Sequence, residues 1–157
     1  MFGGSKGIAA NTASNPVVNI GDNEAGHVAL VKGNVYGGGA LAGVVGNTTV
    51  NINNGTVGVI TYDKTAGSAV YDTIIHGDAN ILGENSGKVF GGGKGRNTNL
   101  ASDYFIAEVS GNSSVNIKGG HVLYNVYGGG ELSSVSDSSF VTVTGGQVGP
   151  APRVEPG

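Results

Sequence analysis

The side chains able to do chemistry in this sequence are few and thinly spread. Lys94, Arg96, Asp103 and Glu108 fall in or beside one stretch, 94–107, that also holds Tyr104 and Phe105. Paired carboxylates hydrolyse glycosidic bonds, and a basic residue beside calcium suits polysaccharide elimination, so these four residues offer groups of both kinds. Yet only 11 Asp and Glu serve 157 residues, and a sugar-cleaving cleft needs a longer wall than this chain can build. The plainer reading is a decorated loop, with Tyr104 and Phe105 packed over an edge. His27 and His121 occupy matching triplets, Gly26-His27-Val28 and Gly120-His121-Val122, where Gly55-Thr56-Val57 and Gly146-Gln147-Val148 carry Thr and Gln. A slot that accepts His, Thr or Gln reads as an exposed polar position, and two His several repeats apart cannot share one ion. Asp22 and Glu24 set two carboxylates in one turn, and His76-Gly77-Asp78 sets one in another. Calcium wants about six to eight oxygens at one point, so Asx-rich turns are the expectation. Gly37-Gly38-Gly39 is followed by no Lys-Ser/Thr and is no phosphate loop. No catalytic residue, no metal and no cofactor is expected.

Two rows of residues could form surfaces instead. Tyr36, Phe90 and Tyr127, with Phe2 before them, hold the same place in recurring motifs. Stacked, they would offer flat faces to sugar rings, or simply stabilise a corner as an aromatic stack. Asn19, Asn51, Asn116 and Thr142 make a polar row, with hydroxyls from Thr49 and Ser114 beside them. Such a wall of amides and hydroxyls could meet a glycan or a cell-surface protein, or be solvated strand surface tied by side-chain ladders. The triplets Asn47-Thr48-Thr49, Asn54-Gly55-Thr56 and Asn112-Ser113-Ser114 match the N-glycosylation pattern, which a sequence this rich in Asn and Thr produces by chance.

What must position these rows is a set of repeats. Asn34-Val35-Tyr36-Gly37-Gly38-Gly39 recurs as Asn125-Val126-Tyr127-Gly128-Gly129-Gly130, Lys88-Val89-Phe90-Gly91-Gly92-Gly93 is a third copy, and Met1-Phe2-Gly3-Gly4-Ser5 enters a fourth partway. Thr49-Val50-Asn51-Ile52 recurs as Ser114-Val115-Asn116-Ile117, with weaker copies at Val17-Val18-Asn19-Ile20 and Phe140-Val141-Thr142-Val143. The valines are spaced 50 − 18 = 32, 115 − 50 = 65 and 141 − 115 = 26. The gap of 65 leaves room for a degenerate copy at Thr73-Ile74-Ile75, making about five units. Thr-Val-Asn-Ile alternates with period two, so Val50, Ile52, Val115 and Ile117 share an inner face. Runs this short gain stability by stacking at about 4.8 Å, with Gly corners where φ is positive or backbones approach closely. The expected fold is all-β, a parallel β-helix (β-solenoid) of about five irregular rungs. The alternative is an antiparallel β-sandwich, which also has short strands with Gly turns but no need of near-identical ones. The stretch Thr61 to Gly67 reads as a hairpin tip.

Composition narrows the classes further. Gly makes up 31 of 157 residues without a G-X-Y period, charged residues 12%, and Cys and Trp are absent. Collagen, a disulfide framework and a thiolate metal site are excluded. A net charge of −3 with two arginines, Arg96 and Arg153, argues against a nucleic-acid partner. No apolar run approaches roughly 18 residues, so no membrane-inserting helix is expected.

The NVYGGG and GN[TS][TS]VNI motifs resemble the glycine-rich repeats of large secreted bacterial surface proteins, of the adhesin or autotransporter-passenger kind. The resemblance covers roughly residues 1–149, leaves 58–72 and 94–107 unexplained, and brings no catalytic motif. It implies a right-handed parallel β-helix and a non-catalytic structural or adhesive segment, secreted or on the cell surface, whose partner is a glycan or a host or cell-surface protein. A glycan-binding module and a fragment of a β-helical polysaccharide lyase or hydrolase are the alternatives. The repeats would occupy 1–149, with a Pro-rich tail at 150–157. Since Met1-Phe2 opens inside a repeat, the expectation is an excerpt of a longer protein that self-associates end to end.

Overall fold

The computed structural model describes residues 1–22, 24, 26–63, 73–76, 86–97 and 106–150, which are all-β with no helix among them. The strands are β1 (Val17–Ile20), β2 (Leu30–Val31), β3 (Val35–Tyr36), β4 (Thr48–Ile52), β5 (Thr56–Val57), β6 (Ile60–Asp63), β7 (Thr73–His76), β8 (Val89–Phe90), β9 (Ser113–Ile117), β10 (His121–Val122), β11 (Val126–Tyr127), β12 (Ser139–Val143) and β13 (Gln147–Val148). Eleven of them form three parallel sheets, ordered β1-β4-β9-β12, β2-β5-β10-β13 and β3-β8-β11. Phe2 adds to the third sheet through a parallel bridge to Tyr36, and single bridges link Thr12, Val44, Val109 and Val135 into a further column. Each of these three sheets therefore takes its strands from successive repeats, and the pairing within them is parallel rather than the antiparallel pairing of a sandwich.

Register follows the motifs. Val18, Val50, Val115 and Val141 are aligned, as are Ile20, Ile52, Ile117 and Val143. The period-two pattern sends Val50, Ile52, Val115 and Ile117 inward, where all four are fully buried, while Thr49, Asn51, Ser114 and Asn116 stay partly exposed. With Val35, Val57, Val89 and Val122 they make one continuous apolar core. Each such side chain contributes roughly 1.5–3 kcal/mol by leaving water. Thr48, Ser86 and Ser113 bring hydroxyls inside as well. Thr48 donates to the Gly91 carbonyl at 2.6 Å, Ser113 to that of Gly128 and Ser86 to that of Lys32, so none is left unsatisfied.

The expectation of about five units is corrected to four among the described residues, because the expected degenerate copy at Thr73-Ile74-Ile75 is not one. Thr73–His76 does not join the parallel sheets; it pairs antiparallel with Ile60–Asp63. Val57 to Val89 spans 89 − 57 = 32 positions where Val122 to Val126 spans 4, and Gly91 to Val109 spans 18 where Gly128 to Val135 spans 7. The excesses, 28 and 11, account for the 39 positions by which 65 exceeds 26. Thr61 to Asp63, expected at a hairpin tip, thus belong to a hairpin arm, Ile60–Asp63, while residues 64–72 lie outside the described residues, as do 77–85, 98–105 and the tail from 151. A third irregularity is the long turn after Ile20. It places Leu30-Val31, and not His27-Val28, beside Thr56-Val57, so the supposed equivalence of His27 and His121 does not hold.

The glycines fall into two kinds. At Gly120, φ is +71°, the left-handed turn that follows each Val-Asn-Ile strand. At Gly91 the need is space: a Cβ would lie 2.2 Å from the Gly128 carbonyl oxygen of the next repeat. The triple-glycine corner is therefore where successive backbones press together.

Candidate functional site

The first sheet presents a flat outer face. Its polar row is joined along the stacking direction: Asn51 Nδ2 donates to Asn19 Oδ1 at 2.8 Å, and Asn116 Nδ2 donates to Asn51 Oδ1 at 2.9 Å. Thr142 continues the row in register with Asn116. Beside it run Val17, Thr49, Ser114 and Phe140, polar in the middle and apolar at both ends. Parallel in-register pairing makes the amide ladder, since identical side chains recur at one strand spacing and each amide is both donor and acceptor. Thr49, Asn51, Ser114 and Asn116 are half-buried on this face.

The aromatic row does form a stack, with ring centroids 4.8 Å apart for Phe2 and Tyr36, 5.0 Å for Tyr36 and Phe90, and 4.9 Å for Phe90 and Tyr127. Yet Tyr36 is 3% and Phe90 4% exposed. Each inner ring has a neighbour on both faces, and Tyr36 Oη also donates to Glu131 Oε2 at 2.6 Å. The reading of Tyr36 and Phe90 as a sugar platform is corrected accordingly. Only the end rings, Phe2 and Tyr127, keep substantial surface, at 39% and 41%.

A second amide ladder escaped the sequence reading. Asn15 Oδ1 accepts from the Asn47 amide at 2.8 Å, Asn47 Oδ1 from the Asn112 amide at 2.8 Å, and Asn112 Oδ1 from the Ser138 amide at 3.0 Å. Each side chain caps the backbone entering the next repeat's long strand. The glycosylation-like triplets at Asn47 and Asn112 contained the signal, because the Asn recurs at a fixed step before the strand.

The remaining candidates do not converge. His27 Nδ1 and Asp22 Oδ2 are 3.0 Å apart in an exposed turn, and Asp22 Oδ1 accepts from the Glu24 amide at 2.9 Å. His27 first, and then that amide, hold the Asp22 carboxyl below its ordinary range. This is the Asx turn, with Glu24 taking part through its backbone. His121 Nε2 lies 2.6 Å from the Gly149 carbonyl oxygen. No group of three His, Cys, Asp or Glu comes together among the described residues. Glu108 lines a hollow of about 200 Å³ with Asn11, Gly43, Val44, Val45 and Ser110, and it accepts a hydrogen bond from Ser136. Arg96 is exposed beyond the Gly95–Leu132 bridge, and Lys94 is half-buried. Asp103, Tyr104, Phe105 and Asp78 lie outside the described residues. Among those described, no helix is long and apolar enough to cross a membrane.

No protein-family model matches the chain, and neither a curated protein nor a solved structure matches it.

Proposed function

We propose that this chain is a right-handed parallel β-helix segment, serving as a rigid, non-catalytic structural or adhesive part of a secreted or cell-surface bacterial protein. One observation carries the reading: the in-register amide ladder of Asn19, Asn51 and Asn116 on an open sheet face, above a core of aligned Val and Ile. Such a wall is fixed before any partner arrives, so contacts made to it lose little side-chain freedom on binding. Its amides and hydroxyls suit the hydroxyls of a glycan or the polar surface of another protein. The glycine-rich motifs and their likeness to bacterial surface repeats support the location.

A glycan array probed with the purified chain tests this reading. Binding to one glycan class is expected, weakened at least tenfold when Asn51→Ala removes both ladder bonds, and unchanged in Phe90→Leu, whose ring is buried. A blank array on a folded sample leaves the structural role and removes glycan adhesion; binding that survives Asn51→Ala moves the contact off this face.

A further inference from the structure

Asn54-Gly55 is the one Asn-Gly pair in the sequence, and it lies in the turn between β4 and β5. The stack leaves no choice at the second residue. Gly55 has a φ of +89°, and a Cβ on it would lie 2.2 Å from the Ala29 carbonyl oxygen of the preceding repeat. The first residue ties two repeats together, since Asn54 Nδ2 donates to the His27 carbonyl at 3.1 Å. The Gly55 amide takes no part in backbone pairing among the described residues. It donates instead to Asn54 Oδ1, on the side chain just before it, at 2.7 Å. Other asparagines are followed by an amide that is committed elsewhere. The amides after Asn11, Asn34, Asn47, Asn53 and Asn112 donate to the carbonyls of Gly43, Lys88, Asn112, Ile20 and Ser138, each in an adjacent repeat.

We propose that Asn54 is a site of spontaneous covalent modification, ageing to aspartate and isoaspartate in the folded chain. The Gly55 nitrogen attacks Asn54 Cγ. The N–Cγ bond forms, the Cγ–Nδ2 bond breaks, and the amide group leaves as ammonia with the proton given up by Gly55. Water then opens the cyclic imide, at Cγ to give aspartate or at the Asn54 main-chain carbonyl to give isoaspartate. Ring closure is favoured where the reacting groups are held side by side. It is favoured also where the following residue has no side chain to hinder it and has its N–H free of the backbone ladder. All three conditions meet at Asn54, which is half-buried and so within reach of water. Either product removes the donor to the His27 carbonyl and leaves a carboxylate. The turn beside it already carries Asp22, whose Oδ2 lies 3.0 Å from His27 Nδ1. Isoaspartate also lengthens the main chain where the backbones of Gly55 and Ala29 press together. The proposal rests on this turn alone and stands apart from the adhesive reading.

The test keeps the whole folded chain for several weeks at mildly alkaline pH in water enriched in the heavy oxygen isotope, beside a sample held unfolded in urea. Peptide mass spectrometry that separates aspartate from isoaspartate follows each asparagine. In the folded chain Asn54 is expected to convert roughly tenfold faster than Asn11, Asn34, Asn47, Asn53 or Asn112, with heavy oxygen in both products. Its conversion should persist on folding, and Asn54→Gln, whose longer side chain closes a ring far more slowly, should show none. An Asn54 that stays intact in the folded chain while the unfolded chain converts overturns the proposal. Conversion spread evenly over the asparagines of the folded chain overturns it as well.

Discussion

At the scale of the residue, position along the stack decides what a side chain is worth. Gly92 and Gly129 hold the same place in the same motif, yet only Gly92 faces a following backbone, with the Gly130 nitrogen at 2.8 Å and Val135 Cγ2 at 3.0 Å from a Cβ. Gly92→Ala is expected to cost about 1–3 kcal/mol, as other overpacked sites do. Thermal unfolding followed by circular dichroism should show a drop of several degrees, against none for Gly129→Ala. An equal response in the two would mean that the corner glycines serve backbone entropy and not close approach. The aromatic residues make the same point. Tyr36 and Tyr127 sit in identical Asn-Val-Tyr motifs, but one ring is enclosed by the stack and the other ends it. The sequence shows that the two motifs are equivalent and does not show which ring is enclosed.

For the single strand, burial depends on having a neighbour on each side. β9 lies between β4 and β12, so Val115 is fully enclosed. Val115→Asp buries a carboxylate without a partner, which costs several kcal/mol, a large share of the roughly 5–15 kcal/mol that holds a domain together. Its cooperative melt should be lost. The register-matched change in β12, Val141→Asp, meets water and should leave a melt close to the parent's. If Val115→Asp also melts normally, the inward assignment of that strand is wrong. The inner face of β4 and β9 was legible from Thr-Val-Asn-Ile because period two needs only the strand itself. The placement of β2 was not: a six-residue longer turn slides Leu30 into the place that the Gly-His-Val motif suggested for His27. Backbone pairing, and not motif likeness, sets which residues become neighbours.

The whole molecule behaves as a stack with insertions let out of it. Replacing residues 58–88 by the three-residue connection Leu-Tyr-Asn, which joins Val122 to Val126, should preserve the far-ultraviolet spectrum. Loop length enters stability only logarithmically. The loss should be limited to contacts that the removed residues make with the stack, among them the bonds of the Ser86 hydroxyl to the Lys32 carbonyl, of the Tyr124 amide to the Gly87 carbonyl and of the Lys88 amide to Asn34 Oδ1. Failure of this shortened chain to fold would make the β6–β7 hairpin part of the core. The amino-acid sequence by itself determined the all-β character, the repeating units, the inward Val and Ile and the lateral alignment of the two rows, because all of these follow from local alternation and recurrence. The tertiary structure alone decided that four repeats stack among the described residues, that the inner rings of the aromatic row are enclosed, and that asparagines tie one repeat to the next. These depend on which backbone lies against which at a distance of one strand, and no local pattern encodes that pairing.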